Sequence, residues 1–267
     1  MYKKQLVDSI MLDIAIAVAS GVEMTRKWYD SIIKYTDVPY TIYMVDNTRP
    51  GKPDNSEFKG KDHVVYSHHE FTSLAGMWNI AVKQGTNPFV LVASNDTLVP
   101  ERWTRMITFM KEHHLGELNP VDTTAVGHVL PFRNDAPIIE SDYYSRAKSH
   151  YEKYRGLYNN YLQYDVCRMF KRGVPHNIPM SGAHMLFTRE ALASVGYFDE
   201  RYKVYLDDSD ILLAVNMKYP VGVLGDLLIY HKGGGTIYPI TDLGGDNQTE
   251  SAKKFSAKWT PILNVLS

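Results

Sequence analysis

Three short apolar runs, each stopping on a polar cluster, constrain this chain more than any other feature. Leu12 to Ala19 (LDIAIAVA) ends at Ser20-Gly21. Tyr40 to Val45 (YTIYMV) ends at Asp46-Asn47-Thr48, and Phe89 to Ala93 (FVLVA) ends at Ser94-Asn95-Asp96-Thr97. Apolar runs of this length, bounded by turn residues, read as buried strands. Segments of helical period lie between them. Residues 24–36 put Trp28, Ile32 and Ile33 on one side, and residues 72–84 follow Thr72 as a candidate cap. A further short strand is expected at 63–66 and a helix at about 101–113. Strand and helix alternating in this way predict an α/β fold, a parallel sheet with helices on both faces.

In such sheets ligands bind beyond the carboxyl ends of the strands. The clusters at Asp46 and at Asp96 therefore mark a candidate site. Asp, Asn and Ser also favour plain turns and helix caps, so either cluster alone is ambiguous. Two at equivalent strand ends point to a site.

The chain then loses its regularity. Residues 143–172 hold seven tyrosines and seven Lys or Arg against two acids, Glu152 and Asp165. Order resumes with a strand expected at Ala183 to Phe187 and a short helix from Arg189, ended by Gly196. A helix is expected at Asp207 to Lys218, a strand at Val221 to Tyr230, and then the loop HKGGGT. The organisation read from this is one intimate domain. Residues 1–110 form one half, 111–180 a variable Tyr-rich and basic insert, 181–240 a second half, and 241–267 a tail with a Gly-Gly-Asp-Asn turn and no assigned role.

Composition narrows the partners. The net charge is −1 over 267 residues, so the whole chain offers no electrostatic reason to bind nucleic acid or an anionic membrane. No run approaches the roughly 20 apolar residues that span a bilayer. The basic start Met1-Tyr2-Lys3-Lys4 leads into an apolar stretch interrupted by Asp8 and Asp13, and is read as the approach to the first strand rather than a signal peptide. The single cysteine, Cys167, excludes an intrachain disulfide and a thiolate zinc cluster, and a reducing, cytoplasmic setting is expected.

Two clusters carry chemistry. Asp207, Asp208 and Asp210 crowd the start of a helix. Capping and the helix dipole explain one acid there, but not three in four positions. At (i, i+3) Asp207 and Asp210 share a face while Asp208 points elsewhere. Mutual repulsion raises the pKa of at least one, which suits a general base near neutral pH. His231 ends an apolar strand directly before Gly233, Gly234 and Gly235. Glycines let backbone amides approach an anion closely, and an imidazole there could join an acid on a divalent metal. A plain flexible loop with a surface histidine is the alternative. The phosphate-binding patterns of P-loop and dinucleotide enzymes are absent.

These residues, in this order, resemble glycosyltransferase family 2 and its relatives, which have the GT-A fold. The resemblance rests on YMVDNT, on SLAGMWNIAVKQGTNPFVLVASNDTLVP, on GAHMLFTREALASVGYFDERYKVYLDDSDILLAV and on LIYHKGGGT. It covers roughly residues 12–110 and 180–237, and Gly-Tyr-Phe-Asp-Glu followed by Asp-Asp-x-Asp is its most specific part. It implies a GT-A, Rossmann-like nucleotide-sugar-binding sheet and an inverting hexosyl or pentosyl transfer from a nucleotide-diphosphate sugar. By the same resemblance Asp46 would contact the nucleobase, Asp96 would bind the metal (Mn²⁺ or Mg²⁺) and His231 would complete the metal or diphosphate site. Asp208 would be the acceptor's base, supported by Asp207 and Asp210. Asn47, Asn79, Asn95, Gly233 and Gly234 would line the donor site.

Two departures stand out. The usual acidic pair is reduced to Ser94-Asn95-Asp96, and Ala214-Val215 replace a basic residue common after the acidic cluster. The acceptor is open between a glycan, a protein and a modified base in DNA, the last disfavoured by net charge. The insert could serve either saccharide or nucleic acid, or simply pack as a Tyr-rich helix. A non-catalytic nucleotide-sugar-binding module and a sugar-1-phosphate nucleotidyltransferase are the alternative functions. The second would need a Gly-rich basic loop where this chain has ASGVEMTRKW.

Overall fold

The computed structural model describes residues 11–19, 21–122, 162–164, 182–233 and 244–265. Its frame is a sheet in which β1 (Leu12–Val18) lies between β2 (Tyr40–Asp46) and β4 (Phe89–Ala93), parallel to both, with β3 (Val64–His68) outside β2. The full order is β3-β2-β1-β4-β8-β6-β9-β5, with β7 (Leu162–Tyr164) also pairing β9. Here β5 is Thr97–Leu98, β6 Glu117–Asp122, β8 His184–Thr188 and β9 Val221–His231. The chain runs outward from β1 to β3 and then returns to β4 on the other side of β1. That reversal opens a crevice at the strands' carboxyl ends.

The parallel pairing predicted from the strand–helix alternation holds for β1 to β4, while the sheet as a whole is mixed. β8 runs antiparallel to both β4 and β6, and β5 and β7 run antiparallel to β9. Apolar runs report burial on both faces but carry no information on strand direction, which the long connections decide.

Helices cover both faces, as expected. On one face α1 (Val22–Tyr35) and α3 (Arg105–His113) bury Trp28, Ile32, Met106 and Ile107 against Ile14, Ile16 and Leu91. On the other, α2 (Leu74–Gln84), α4 (Arg189–Ser194) and α5 (Asp207–Asn216) bury Trp78, Leu192 and Leu213 against Ala15, Val90 and Val92. Each large side chain so buried contributes about 1.5–3 kcal/mol.

Local boundaries moved for local reasons. The cap of α2 is Ser73, whose hydroxyl accepts from the Gly76 amide at 2.8 Å, one residue after the expected Thr72. α3 starts at Arg105 because Arg102 takes a left-handed φ of 60°, which keeps 101–104 as turns. The expected C-terminal turn and tail is instead one long helix, α6 (Gly244–Val265). Its Trp259 is 3% exposed in the second core, so the amphipathic end has a packing role. Among the described residues no helix is long and apolar enough to cross a membrane. Of the 111–180 insert, residues 111–122 form the end of α3 and β6 and residues 162–164 form β7, while 123–161 and 165–180 lie outside the described residues.

At the far end of the sheet Asp13 is fully buried. Its carboxylate accepts from the Arg189 guanidinium at 2.5 Å and from the Asn87 amide N–H at 2.9 Å. This ties α4 to β1 away from the crevice and keeps the two halves of the sheet in register.

Candidate active site

The site assembles where β1, β2 and β4 end. Asp96 follows β4 and is 6% exposed, held by the turn in which the Thr97 hydroxyl donates to the Ser94 carbonyl at 2.8 Å. β5 then pairs with the end of β9, Thr97 opposite His231, and the Lys232 amide donates to the Asp96 carbonyl at 2.9 Å. This pairing brings the His231 Nε2 to 3.5 Å from Asp96 Oδ2. Two residues far apart in the chain thus share one point in space, as their strand-end positions suggested.

A third member, unmarked by any sequence motif, joins them. Asp122, at the end of β6, is 1% exposed and places Oδ2 3.4 Å from His231 Nδ1. Burial disfavours a charged His231, but hydrogen bonds to Asp122 and Asp96 outweigh it and push the imidazole up to about 10. The neighbouring His184 is fully enclosed 5.4 Å from the Trp103 ring, with no partner for either ring nitrogen among the described residues. Burial pushes it down to about 3, so it is neutral. The sequence around Asp122 carried little signal, because its strand, ELNPVD, is not the unbroken apolar run that marks β1, β2 and β4.

The acidic cluster lies beside this point. Gly182 adjoins Ala183, whose carbonyl accepts from the Ser94 amide at 2.9 Å. A Cβ on Gly182 would lie 2.8 Å from Asp208 Oδ2, so the Asp208 carboxylate sits directly on this glycine. Asp207 and Asp208 are aimed by two successive left-handed residues, Tyr205 (φ 71°) and Leu206 (φ 64°), ahead of α5. Such conformations cost roughly 1–3 kcal/mol each in non-glycine residues and concentrate at functional sites. Asp207 and Asp210 are buried, whereas Asp208 is only partly so, which is the arrangement predicted by their spacing. Burial first, and then the Asp208 charge, push Asp207 up to about 8, and its Oδ2 has no hydrogen-bond partner among the described residues.

Several expected site residues are occupied elsewhere. Asp210 accepts from Trp259 Nε1 at 2.7 Å, from Lys258 Nζ at 2.8 Å and from the Tyr202 hydroxyl at 3.1 Å. It anchors α6 rather than supporting a base, because its face of α5 turns inward. Asn79 donates to the Phe198 carbonyl at 2.9 Å and to Glu200 Oε1 at 2.8 Å, and accepts from the Phe198 amide at 3.0 Å. It latches α2 to the Gly-Tyr-Phe-Asp-Glu turn and has no donor left for a ligand.

The Asp46 carboxylate is fully buried. It accepts from the Thr48 amide (2.8 Å) and hydroxyl (2.6 Å), the Asn55 amide (2.8 Å) and the Tyr66 hydroxyl (2.7 Å). Those four bonds fill a carboxylate's acceptor capacity, so Asp46 organises the 46–55 loop and a nucleobase N–H would have to displace one of them.

Asn47 and Asn95 stay beside the strand ends. The Asn47 amide extends β2 by donating to the Val18 carbonyl at 2.8 Å. Asn95 donates to Thr25 Oγ1 at 2.9 Å and lines a small open cleft with Asp96. Met24, Lys27, Thr97, Leu98, Tyr230 and Lys232 complete that cleft. Gly233 takes a left-handed φ of 74°. Gly234 lies outside the described residues. Ala214 and Val215 pack in the core, so no cation stands there, while Lys27 and Lys232 bring positive charge to Asp96's cleft.

Among the described residues no group of three or more His, Cys, Asp and Glu is arranged to enclose a metal ion. Asp96 Oδ2 and His231 Nε2 do fit as two adjacent ligands of a six-coordinate cation. Bonds of roughly 2.1–2.2 Å put neighbouring ligand atoms about 3 Å apart, close to the observed 3.5 Å.

No protein-family model and no curated protein matches this sequence. Solved structures do. The mannosyltransferase PcManGT from Pyrobaculum calidifontis, in complex with GDP-Man and Mn²⁺, superposes with a TM-score of 0.59 at 17% identity. That match covers 95% of this chain and 68% of that one. S. aureus TarS 1-349 in complex with UDP-GlcNAc superposes with a TM-score of 0.58 at 16% identity, over 86% of this chain and 60% of that one. The same TarS fragment alone gives 0.57 at 15% identity, and the chain spans 64% of its length. At such identities the likeness establishes the architecture, which is the GT-A fold.

Proposed function

We propose that this protein transfers a sugar from a nucleoside-diphosphate sugar to an acceptor, with inversion at the anomeric carbon. The observation that carries the reading is the meeting of Asp96 Oδ2 and His231 Nε2 within 3.5 Å at the crevice of a GT-A sheet. Structures of this fold hold UDP-GlcNAc in TarS and GDP-Man with Mn²⁺ in PcManGT, which supports a donor of that class.

In this reading Asp96 and His231 hold a divalent cation, Mn²⁺ or Mg²⁺. The cation would neutralise the departing diphosphate as a Lewis acid. Lys27 and Lys232, lining the same cleft, add positive charge for the diphosphate in place of the basic residue absent after the acidic cluster. Asn47, Asn95, Gly233 and Gly234 line the donor, and Asp46 acts through the loop it braces. Asp208 takes the acceptor's proton as the new glycosidic bond forms. It is the least buried member of the acidic cluster, and general-base help of this kind contributes about 10²–10⁴-fold. Asp207, kept protonated up to about pH 8 by burial and by the Asp208 charge, adds no second charge there. We assign the acceptor surface to the 111–180 insert and the reaction to the cytoplasm, in keeping with one cysteine.

A thermal-shift panel of nucleoside diphosphates, with and without Mn²⁺ or Mg²⁺, tests the reading. One diphosphate should raise the Tm only with metal, corresponding to about 2.7 kcal/mol at a hundredfold excess over Kd. Silence across the panel would leave a fold without this ligand and end the proposal. Once the donor is known, the anomeric configuration of the product by NMR decides inversion.

A further inference from the structure

The register of β6 against β9 breaks at one place. Pro120 pairs with Leu224, but the next residue, Val121, pairs with Leu228, and Asp122 pairs with Ile229. Gly225, Asp226 and Leu227 are therefore extra on β9. Bulges of this kind re-aim a strand end and recur beside active sites. Without it, continuing the register would set Asp122 opposite Asp226, with His231 several residues beyond its reach. The bulge is also fastened. Arg105, the first residue of α3, donates through Nη2 to the Asp226 carbonyl at 2.8 Å and to its carboxylate at 2.9 Å.

The result is a buried row. Asp122 Oδ2 is 3.4 Å from His231 Nδ1, and His231 Nε2 is 3.5 Å from Asp96 Oδ2. A cation entering beside Asp96 would displace the proton on Nε2, leaving the ring donating through Nδ1 alone, and a carboxylate behind a metal-binding histidine raises its basicity and fixes its ring.

We propose that Asp122 is a positioning residue: it holds His231 through Nδ1–H so that Nε2 faces the cation site shared with Asp96. This rests on the reading that Asp96 and His231 bind a divalent cation. Asp122 itself touches neither donor nor acceptor. The bulge pinned by Arg105 is what brings its strand end to His231.

The test is a Mn²⁺ titration of the full chain followed by EPR, alone and with UDP or GDP present. It is run on Asp122→Asn, Asp122→Glu, His231→Ala, Asp96→Ala and the Asp122→Asn/His231→Ala double variant, with thermal unfolding as the check on folding. The two Asp122 variants keep the fold by different means, so one folded variant suffices. We expect Asp122→Asn to weaken Mn²⁺ binding about 10–100-fold, and to weaken it no further once His231 is Ala. A merely structural role would not show that dependence on His231. If folded Asp122→Asn binds Mn²⁺ like the parent while His231→Ala does not, the inference is overturned and the cation reading stands, and parent-like binding by Asp122→Glu alone, which keeps the carboxylate, supports it. If His231→Ala and Asp96→Ala both bind Mn²⁺ like the parent, the cation reading falls and the inference with it.

Discussion

Lys258 donates to Asp210 at 2.8 Å, joining the C-terminal helix to the first turn of the helix that carries the acidic cluster. One Asp of that cluster is thereby spent on architecture. The contact also makes residues 244–265 part of the site's support rather than an appendage.

Replacing Lys258 by Met tests that support. Asp210 is 2% exposed and would lose its only cationic partner among the described residues, keeping Trp259 and Tyr202. Breaking such a pair from one side costs about 3–5 kcal/mol when both groups are buried, and Lys258 is about a quarter exposed, so a loss of roughly 2–3 kcal/mol is expected in urea unfolding. An unchanged midpoint would show that α6 is held by its apolar face alone.

The base assignment predicts that Asp208→Asn lowers turnover at least ~10²-fold while donor affinity is largely kept. Single-turnover kinetics with the identified donor, alongside calorimetric binding, separates the two. Turnover near that of the parent would remove Asp208 from the mechanism.

Asp207 predicts a pH dependence of stability. Its folded pKa is raised from 3.8 to about 8, so the native chain keeps a proton that the unfolded chain releases. The stabilisation from this group is complete at low pH, declines as pH rises from about 4, and is lost through about 8. Asp207→Asn cannot ionise and lacks that slope. Relative to the parent, the variant should be more stable at about pH 8.5 than at about pH 5, by urea unfolding at both. Equal differences at the two values would mean that Asp207 is charged throughout.

Gly182 predicts a loss of function without loss of fold. An added Cβ would lie 2.8 Å from both Cβ and Oδ2 of Asp208, closer than real contacts allow. The segment is half-exposed at a strand's start, so the chain yields locally and the carboxylate moves. Misplacement of a reacting group by about 1 Å can cost 10²-fold. Gly182→Ala should therefore reduce kcat by ~10-fold or more with a Tm within a few degrees of the parent. A kcat within a factor of two would show that Asp208 is free to relax.

The α/β class, the positions of β1, β2, β4, β8 and β9 and the helices between them were legible in the residues, because burial on both faces leaves an unbroken apolar run. The inward turn of Asp207 and Asp210, with Asp208 outward, was legible too, since helical spacing fixes which residues share a face. The antiparallel direction of β5, β7 and β8 was not, nor was the 244–265 helix, whose first turn contains two glycines and whose stability comes from Trp259 and Lys258 meeting Asp210.

The site divides along the same line. Sequence alone determined that carboxylates and an imidazole stand at strand ends, because a buried strand must stop where polar groups begin. It could not determine how each polar atom is used. Asp46, Asn79 and Asp210 look like site residues in the chain and are engaged by hydrogen bonds within the fold, while Asp122 looks ordinary and lies against His231. Hydrogen-bond capacity is claimed by whichever groups the packed chain brings near. The Pro120/Val121 register break that sets Asp122 beside His231 exists only between strands.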